Sequence, residues 1–427
     1  MKGIRSGGWS IITWIAVAAL TAGVAAQGLP SATPEAVGFA PGRLERIDRV
    51  MQDYVERGIF PGMTVAVVRH GKLVYRRSFG FSDVASREPV REDTIFRIYS
   101  MSKPVTSVAA LMLFEQGYYL LDDPVSKYLP ELKGLKIFGQ ENAPPPEEGG
   151  PREMTIRDLF RHTSGLGYGW GQGPVDAIYR NLNLLDRTRT LAEAVAKLAE
   201  APLYFAPGTA WQYSVSIDVL GRLVEVLSGK TLEEFLQERI FVPLGMPDTG
   251  FFITPEKQHR LTSLYNFNQE TQQLALIPPE RSLSPYQREH SRLLSGGGGL
   301  LSTTDDYLRF ATMLANRGSL GDVRLLAPET VKLMGTDHLP DGVTMPWPKL
   351  AGHGYGLGVS VLTDVAKSMT YGSPGDFGWD GAASTYFRVD PAKDLVILLM
   401  THRMPCDTEI QVKLKTLVYQ ALVEPEK

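Results

Sequence analysis

The stretch Arg97-Ile98-Tyr99-Ser100-Met101-Ser102-Lys103-Pro104, with the Ala-rich apolar run Val105 to Gly117 behind it, most narrows what this chain can fold into. Val105, Val108, Ala109, Leu111, Met112 and Leu113 fill most of the circumference of a helix. A helix apolar on nearly every side has to be surrounded by other elements. Gly117 supplies its stop. Pro104 fixes its start, because a proline ring is tolerated only in the first turn. The helix is therefore expected to begin at Ser100 or Met101. That places the Ser100 hydroxyl at the positive end of a helix dipole, where a developing anion is stabilised. Lys103 lies on the same face, one turn deeper. A lysine among apolar neighbours is costly to keep charged, so its pKa falls and it can act as a base. A serine within reach of a half-neutral lysine is a usable nucleophile. The S-x-x-K spacing alone is short and recurs by chance, so its partners have to come from the rest of the chain.

Lys2 and Arg5 precede an apolar segment, Ile11 to Ala22, that is short for a bilayer span; Val24-Ala25-Ala26 and Gln27 follow. Residues 1–26 read as a secretory signal peptide cleaved after Ala26, which predicts a periplasmic or secreted protein with no membrane span once it is removed. Residues 27–427 are expected to form the working domain. Net charge is −3 without a basic cluster, which argues against nucleic acid as a partner. Cys406 is the only cysteine, so no internal disulfide is available, and an acidic neighbour at Asp407 disfavours its thiolate.

The hydrophobic period changes along the chain. Leu44, Ile47, Val50, Met51 and Val55 repeat as a helix, and Met63–Val68 and Lys72–Gly80 read as a hairpin turning at His70-Gly71. Helical patterns dominate the middle: Thr155 to Arg161 behind a capping box, Leu191 to Leu198, Ile217 to Leu227, and Asp306 to Asn316 behind the Gly296–Gly299 turn. Residues 139–152 read as an exposed Pro-, Glu- and Gly-rich loop. Gly354 to Val361, Ala382 to Val389 and Leu395 to Met400 read as strands, and Asp407 to Val423 as a closing helix. Strands at both ends and helices between predict an α+β fold. One largely antiparallel sheet is built from about 40–100 and 350–424, with a mainly helical lobe inserted over about 101–349.

Two further clusters carry chemistry. Tyr213, in Trp211-Gln212-Tyr213-Ser214-Val215, sits just before a helix, an exposed place for a phenol. Either as a phenolate or as a relay to Lys103 it can take the serine proton and return it to a leaving group; the competing reading is an aromatic plug between lobes. Gly378-Trp379-Asp380-Gly381-Ala382 precedes a strand read as an edge, where glycines let a backbone approach a ligand. The N–H of Ala382 can there join that of Ser100 to hold an oxyanion.

Together the clusters resemble the serine hydrolases of the class C β-lactamase and D,D-peptidase fold, and within it the family VIII carboxylesterases. Ser100-Met101-Ser102-Lys103 matches the first motif, Tyr213-Ser214-Val215 stands where that family has Y-x-N, and Trp379-Asp380-Gly381 where it has K-T-G or the esterases' W-x-G. His162-Thr163-Ser164-Gly165-Leu166 and Gly297-Gly298-Gly299-Leu300 also look like that family, and the likeness runs in order through nearly the whole chain. The resemblance implies an acyl-enzyme on Ser100, with Lys103 and Tyr213 sharing the proton work and Trp379, Asp380, Gly381 and Val215 lining the substrate site. Val215 replaces an asparagine placed to bond a substrate amide, and Trp379 a lysine that helps hold a substrate carboxylate, so an apolar ester is favoured over a penicillin-like substrate. Asp380, where many such esterases have glycine, repels anions if it points inward.

His162 and Ser164 lack a G-x-S-x-G elbow and read as structural. The other histidines are scattered without metal-ligand spacing, so neither metal nor cofactor is expected. The reading is a serine hydrolase acting on a small-molecule ester or amide, most simply a carboxylesterase for short- to medium-chain esters. Its rivals are a β-lactamase or D-amino-acid peptidase and a non-catalytic receptor for penicillin or cell-wall peptide.

Overall fold

A computed structural model describes residues 28–142, 150–278 and 287–423. The expected signal peptide and most of the Pro-rich part of the 139–152 loop lie outside the described residues. The frame is a sheet with strands β1 (Gly62–Arg69), β2 (Lys72–Asp83), β3 (Glu88–Pro89), β4 (His353–Tyr355), β5 (Ser360–Leu362), β6 (Phe377–Asp380), β7 (Tyr386–Asp390) and β8 (Leu395–Thr401). They lie in the order β4-β5-β6-β7-β8-β1-β2-β3, every neighbour antiparallel. The two ends of the chain thus meet at the β8–β1 seam, in register Val65 to Leu399 and Ala66 to Leu398.

Side-chain alternation sends alternate residues of β1 and β8 to opposite faces. Met63, Val65, Val67, Ile397 and Leu399 pack against helix α1 (Pro41–Glu56) through Leu44, Ile47 and Met51. The last helix, labelled α5 (Thr408–Tyr419), covers the same face through Ile410, Leu414 and Val418. Ala66, Val68, Val396 and Leu398 belong to the main core on the other face. That core holds α2 (Ser102–Glu115), α3 (Ser216–Ser228) and α4 (Thr304–Ala315). Both faces are covered, so every residue of β1 is buried.

Several expectations are corrected. Gly354 to Val361 is not one strand but the β4–β5 hairpin: Gly358 has φ 88°, and the Gly356 N–H donates to the Val359 carbonyl at 2.8 Å. Ala382 is not on an edge strand. Residues 382–385 form the turn between β6 and β7, which lie inside the sheet; the Gly381 N–H donates to the Thr385 carbonyl, and Ser384 takes φ 67°. A run of small residues favours that turn over continued pairing. The inserted lobe also carries a hairpin that its polar sequence hid, Leu264–Asn268 with Gln273–Ile277, joined by Arg403–Met404 in a three-stranded sheet.

A buried charge cluster ties β6 and β7 to α5. Asp376 accepts from Arg388 Nε at 2.7 Å and pairs with Lys415 Nζ at 2.6 Å, while Arg388 also donates to the Asp376 carbonyl and to Ser360 Oγ. Removing the acid leaves two buried cations facing each other. Asp376→Ala is expected to cost roughly 3–5 kcal/mol of unfolding free energy in urea titration. Breaking the exposed Lys413–Glu409 pair should leave the midpoint unchanged.

Candidate active site

The segment bearing Ser100 enters as a 3-10 turn, Tyr99–Met101, and becomes α-helical at Ser102. Ser100 therefore stands in the turn that leads into α2, one step outside the regular helix. Ser102, Lys103 and Thr106 share the face of α2 that meets the Gly296–Leu300 turn. Ser102 Oγ accepts from the Leu300 N–H at 3.1 Å, Thr106 Oγ1 donates to the Gly296 carbonyl at 2.9 Å, and Lys103 Nζ donates to the Gly297 carbonyl at 2.7 Å. The turn has to be glycine here: a Cβ on Gly297 would sit 2.5 Å from Asp218 Oδ2.

Lys103 Nζ lies 3.3 Å from Ser100 Oγ, with the Tyr213 ring centroid 4.4 Å and the Tyr168 centroid 5.5 Å from the nitrogen. Burial lowers the Lys103 pKa to about 7, against the smaller upward pull of Asp218 and Asp380. A free lysine at neutral pH is unprotonated in roughly one molecule in a few thousand, so a value near 7 raises the supply of free amine by about three orders of magnitude.

Tyr213 is buried, contrary to the exposed position expected. Burial pushes its pKa upward, and hydrogen bonds from Ser100 and Trp379 offset only part of that. Burial thus favours the neutral phenol, which supports the relay reading over the phenolate. Its hydroxyl accepts from Trp379 Nε1 at 3.1 Å and is in hydrogen-bond reach of Ser100. Trp379 is thus both a wall and a donor, which the apolar reading of that position missed.

A serine chain holds the tyrosine loop. Ser214 Oγ lies 3.0 Å from His162 Nδ1 and 2.7 Å from Ser216 Oγ, and Ser216 Oγ lies 2.8 Å from Ser164 Oγ. The His162 ring, kept neutral by burial and the Lys103 charge, packs 4.8 Å from the Tyr213 ring. Its place is under the tyrosine, not beside the serine.

The structure brings Ser100, Lys103, Tyr213 and Trp379 into one site. The turn after β6 abuts it: a Cβ on Gly381 would meet the Ile98 carbonyl at 2.5 Å, and Ala382 packs with Tyr99. The Ala382 N–H makes no hydrogen bond among the described residues. Asp380 is tied to Lys349 Nζ at 2.6 Å and faces Cys406 Sγ at 3.6 Å, so its charge is matched. Burial and Asp380 push the Cys406 thiol up to about 12. Val215 has an apolar side chain and lines a small cavity with Leu184, Leu191 and Leu293, which Asp218 also borders.

Sequence reasoning missed the remaining walls. Trp347 lies 5.1 Å from Tyr213 and 6.5 Å from Trp379. Tyr168 stacks on Trp170 at 4.4 Å, and the indole of Trp170 is 65% exposed. Tyr168 and Trp170 sit among glycines at 167, 169, 171 and 173, a local signal that was available. Trp347 had none, since it reaches the site from a separate loop. Among the described residues no group of His, Cys, Asp and Glu is placed to hold a metal, and no helix is long and apolar enough to cross a membrane.

Comparisons place the chain among known proteins. It is 35% identical over 365 residues to Protein Rv1367c of Mycobacterium tuberculosis, covering 83% of this chain and 89% of that one. It is 33% identical over 373 residues to Esterase EstB of Burkholderia gladioli, covering 84% and 90%. The structure of EstCE1, described as a hydrolase with promiscuous acyltransferase activity, superposes with a TM-score of 0.76 at 27% identity over 88% of this chain and 99% of that one. The family model Beta-lactamase matches residues 47–417, and with these relatives it shows that the chain belongs to the Beta-lactamase family, whose fold it shares with esterases and penicillin-binding-protein homologues.

Proposed function

We propose that this serine hydrolase is a carboxylesterase for short- to medium-chain esters and that it works through an acyl-enzyme on Ser100. The observation that carries the reading is the Lys103 amine, 3.3 Å from Ser100 Oγ and half neutral near pH 7. Ser100 Oγ bonds to the ester carbonyl carbon as its proton passes to Lys103 Nζ. The resulting oxyanion is held by the N–H groups of Ser100 and Ala382. The carbon–oxygen bond to the alkoxy group then breaks, and Tyr213, a neutral phenol beside Ser100, relays the proton from Lys103 to the departing alcohol. Water, activated by the same amine, releases the acid and restores Ser100.

Substrate preference rests on the walls. Trp347, Trp379, Tyr168 and Trp170 surround Tyr213 with rings and supply apolar area for an acyl or alkyl group. The family resemblance puts Trp379 where a lysine would help hold a substrate carboxylate, and Lys349 is already paired with Asp380. A β-lactam or D-alanyl peptide brings a carboxylate that this arrangement does not reward. The esterase named among the relatives supports the same choice. The leader-like residues 1–26 support action in the periplasm or outside the cell.

Ser100→Ala is expected to lower turnover of p-nitrophenyl butyrate at least 10³-fold and to abolish labelling by a fluorophosphonate, read by intact mass. Turnover surviving in the variant would remove the mechanism. Because Lys103 has to lose its proton before it can act, kcat/KM should rise with pH through a limb centred near 7. A pH–rate profile flat from 5 to about 9 would contradict the lysine base. Wild-type enzyme should hydrolyse the butyrate ester with a kcat/KM at least tenfold above that for a chromogenic cephalosporin. The reverse order would favour the lactamase or peptidase reading, and one equivalent of acylation without turnover would favour the receptor.

A further inference from the structure

Asp218, on the first turn of α3, is a buried carboxylate that the mechanism above does not use. Its Oδ1 accepts from Ser295 Oγ at 2.6 Å and from the Gly297 N–H at 3.1 Å. Gly297 is the residue whose carbonyl takes the Lys103 N–H at 2.7 Å. The same peptide segment is thus gripped at its N–H by the acid and at its carbonyl by the amine.

We propose that Asp218 is a positioning residue for the lysine base: by clamping Ser295 and Gly297 it fixes the carbonyl that orients the Lys103 amine toward Ser100. This rests on the Ser100–Lys103 reading given above. A neutral amine has two N–H donors and one lone pair. Committing one N–H to a fixed carbonyl restricts the lone pair to directions that include Ser100 Oγ.

Burial raises the pKa of Asp218 itself, opposed by the Ser295 hydrogen bond and the Lys103 charge; in its ionised form the acid adds a second effect. Several groups face Lys103 from the surrounding elements. Ser100 is uncharged, Tyr168 and Tyr213 are kept neutral by burial, and His162 is held neutral by burial and by Lys103 itself. Asp380, on β6, is matched by Lys349. Asp218 has no ion-pair partner among the described residues, and its Oδ2 is buried without a hydrogen bond there. It is therefore the larger influence of the two acids, with Asp380, that hold the proton on Lys103 against burial. Without it the amine would titrate lower and be a weaker base.

The test follows the rate of fluorophosphonate labelling of Ser100 against pH, by intact mass, so that no ester substrate has to be assumed. In Asp218→Asn, an isosteric change whose amide oxygen still accepts from Ser295 and Gly297, checked for folding by its thermal melt, the midpoint of the rising limb should move about one pH unit lower with the plateau rate nearly kept. Ser295→Ala keeps the charge but removes one arm of the clamp; its midpoint should stay and its plateau fall severalfold. An unmoved midpoint in folded Asp218→Asn protein overturns the proposal. An undiminished plateau in Ser295→Ala overturns it too, whether or not the first variant folds. A wild-type protein that is never labelled overturns the functional reading instead.

Discussion

The site depends on keeping one amine out of water without leaving it unbonded. Lys103 is 1% exposed, on a helix whose other faces are filled with aliphatic side chains. Desolvation lowers its pKa, as it does for lysines placed in apolar interiors. Asp218 and Asp380 pull the other way, and the balance settles at about 7. That balance needs close packing, because water reaching the amine would return it to its ordinary alkaline value. The buried helix, the glycine turn pressed against its polar face and the tyrosine ring over it form one device for excluding solvent.

The same tightness explains the glycines. A side chain at Gly297 would collide with Asp218, and one at Gly381 with the Ile98 carbonyl. Both positions bring backbone within reach of the groups around Ser100. Their requirement is steric closeness, a different reason from the left-handed backbone that Gly358 supplies to its hairpin.

What could be read from the sequence follows from what is local. The Ser100–Lys103 spacing, the proline that fixes the start of α2, and the capping box at Thr155–Asp158 are short-range geometry, and the structure has them. The two-ended sheet was legible because the hydrophobic period changes at both ends of the chain. The burial of Tyr213 was not legible, because its cover comes from Trp347 and Trp379, well over a hundred residues away. The place of Ala382 was misread because a turn and a strand start share small residues, and only the pairing of β6 with β7 distinguishes them. Asp218 gave no motif at all. Its meaning appears only when α3 is laid against the Gly296–Leu300 turn.

The β8–β1 seam has a consequence for biogenesis. Ser100 and Lys103 are made in the first quarter of translation, whereas the turn bearing Ala382 and the strand beside β1 are made near the end. Until β8 arrives, β1 lacks its inner neighbour and α1 has no partner in α5. A nascent or truncated chain therefore holds Ser100 and Lys103 without the later elements that complete their surroundings. The enclosure of Lys103 by Tyr213, and of Tyr213 by Trp379, is therefore finished only after the segment bearing Trp379 has been made.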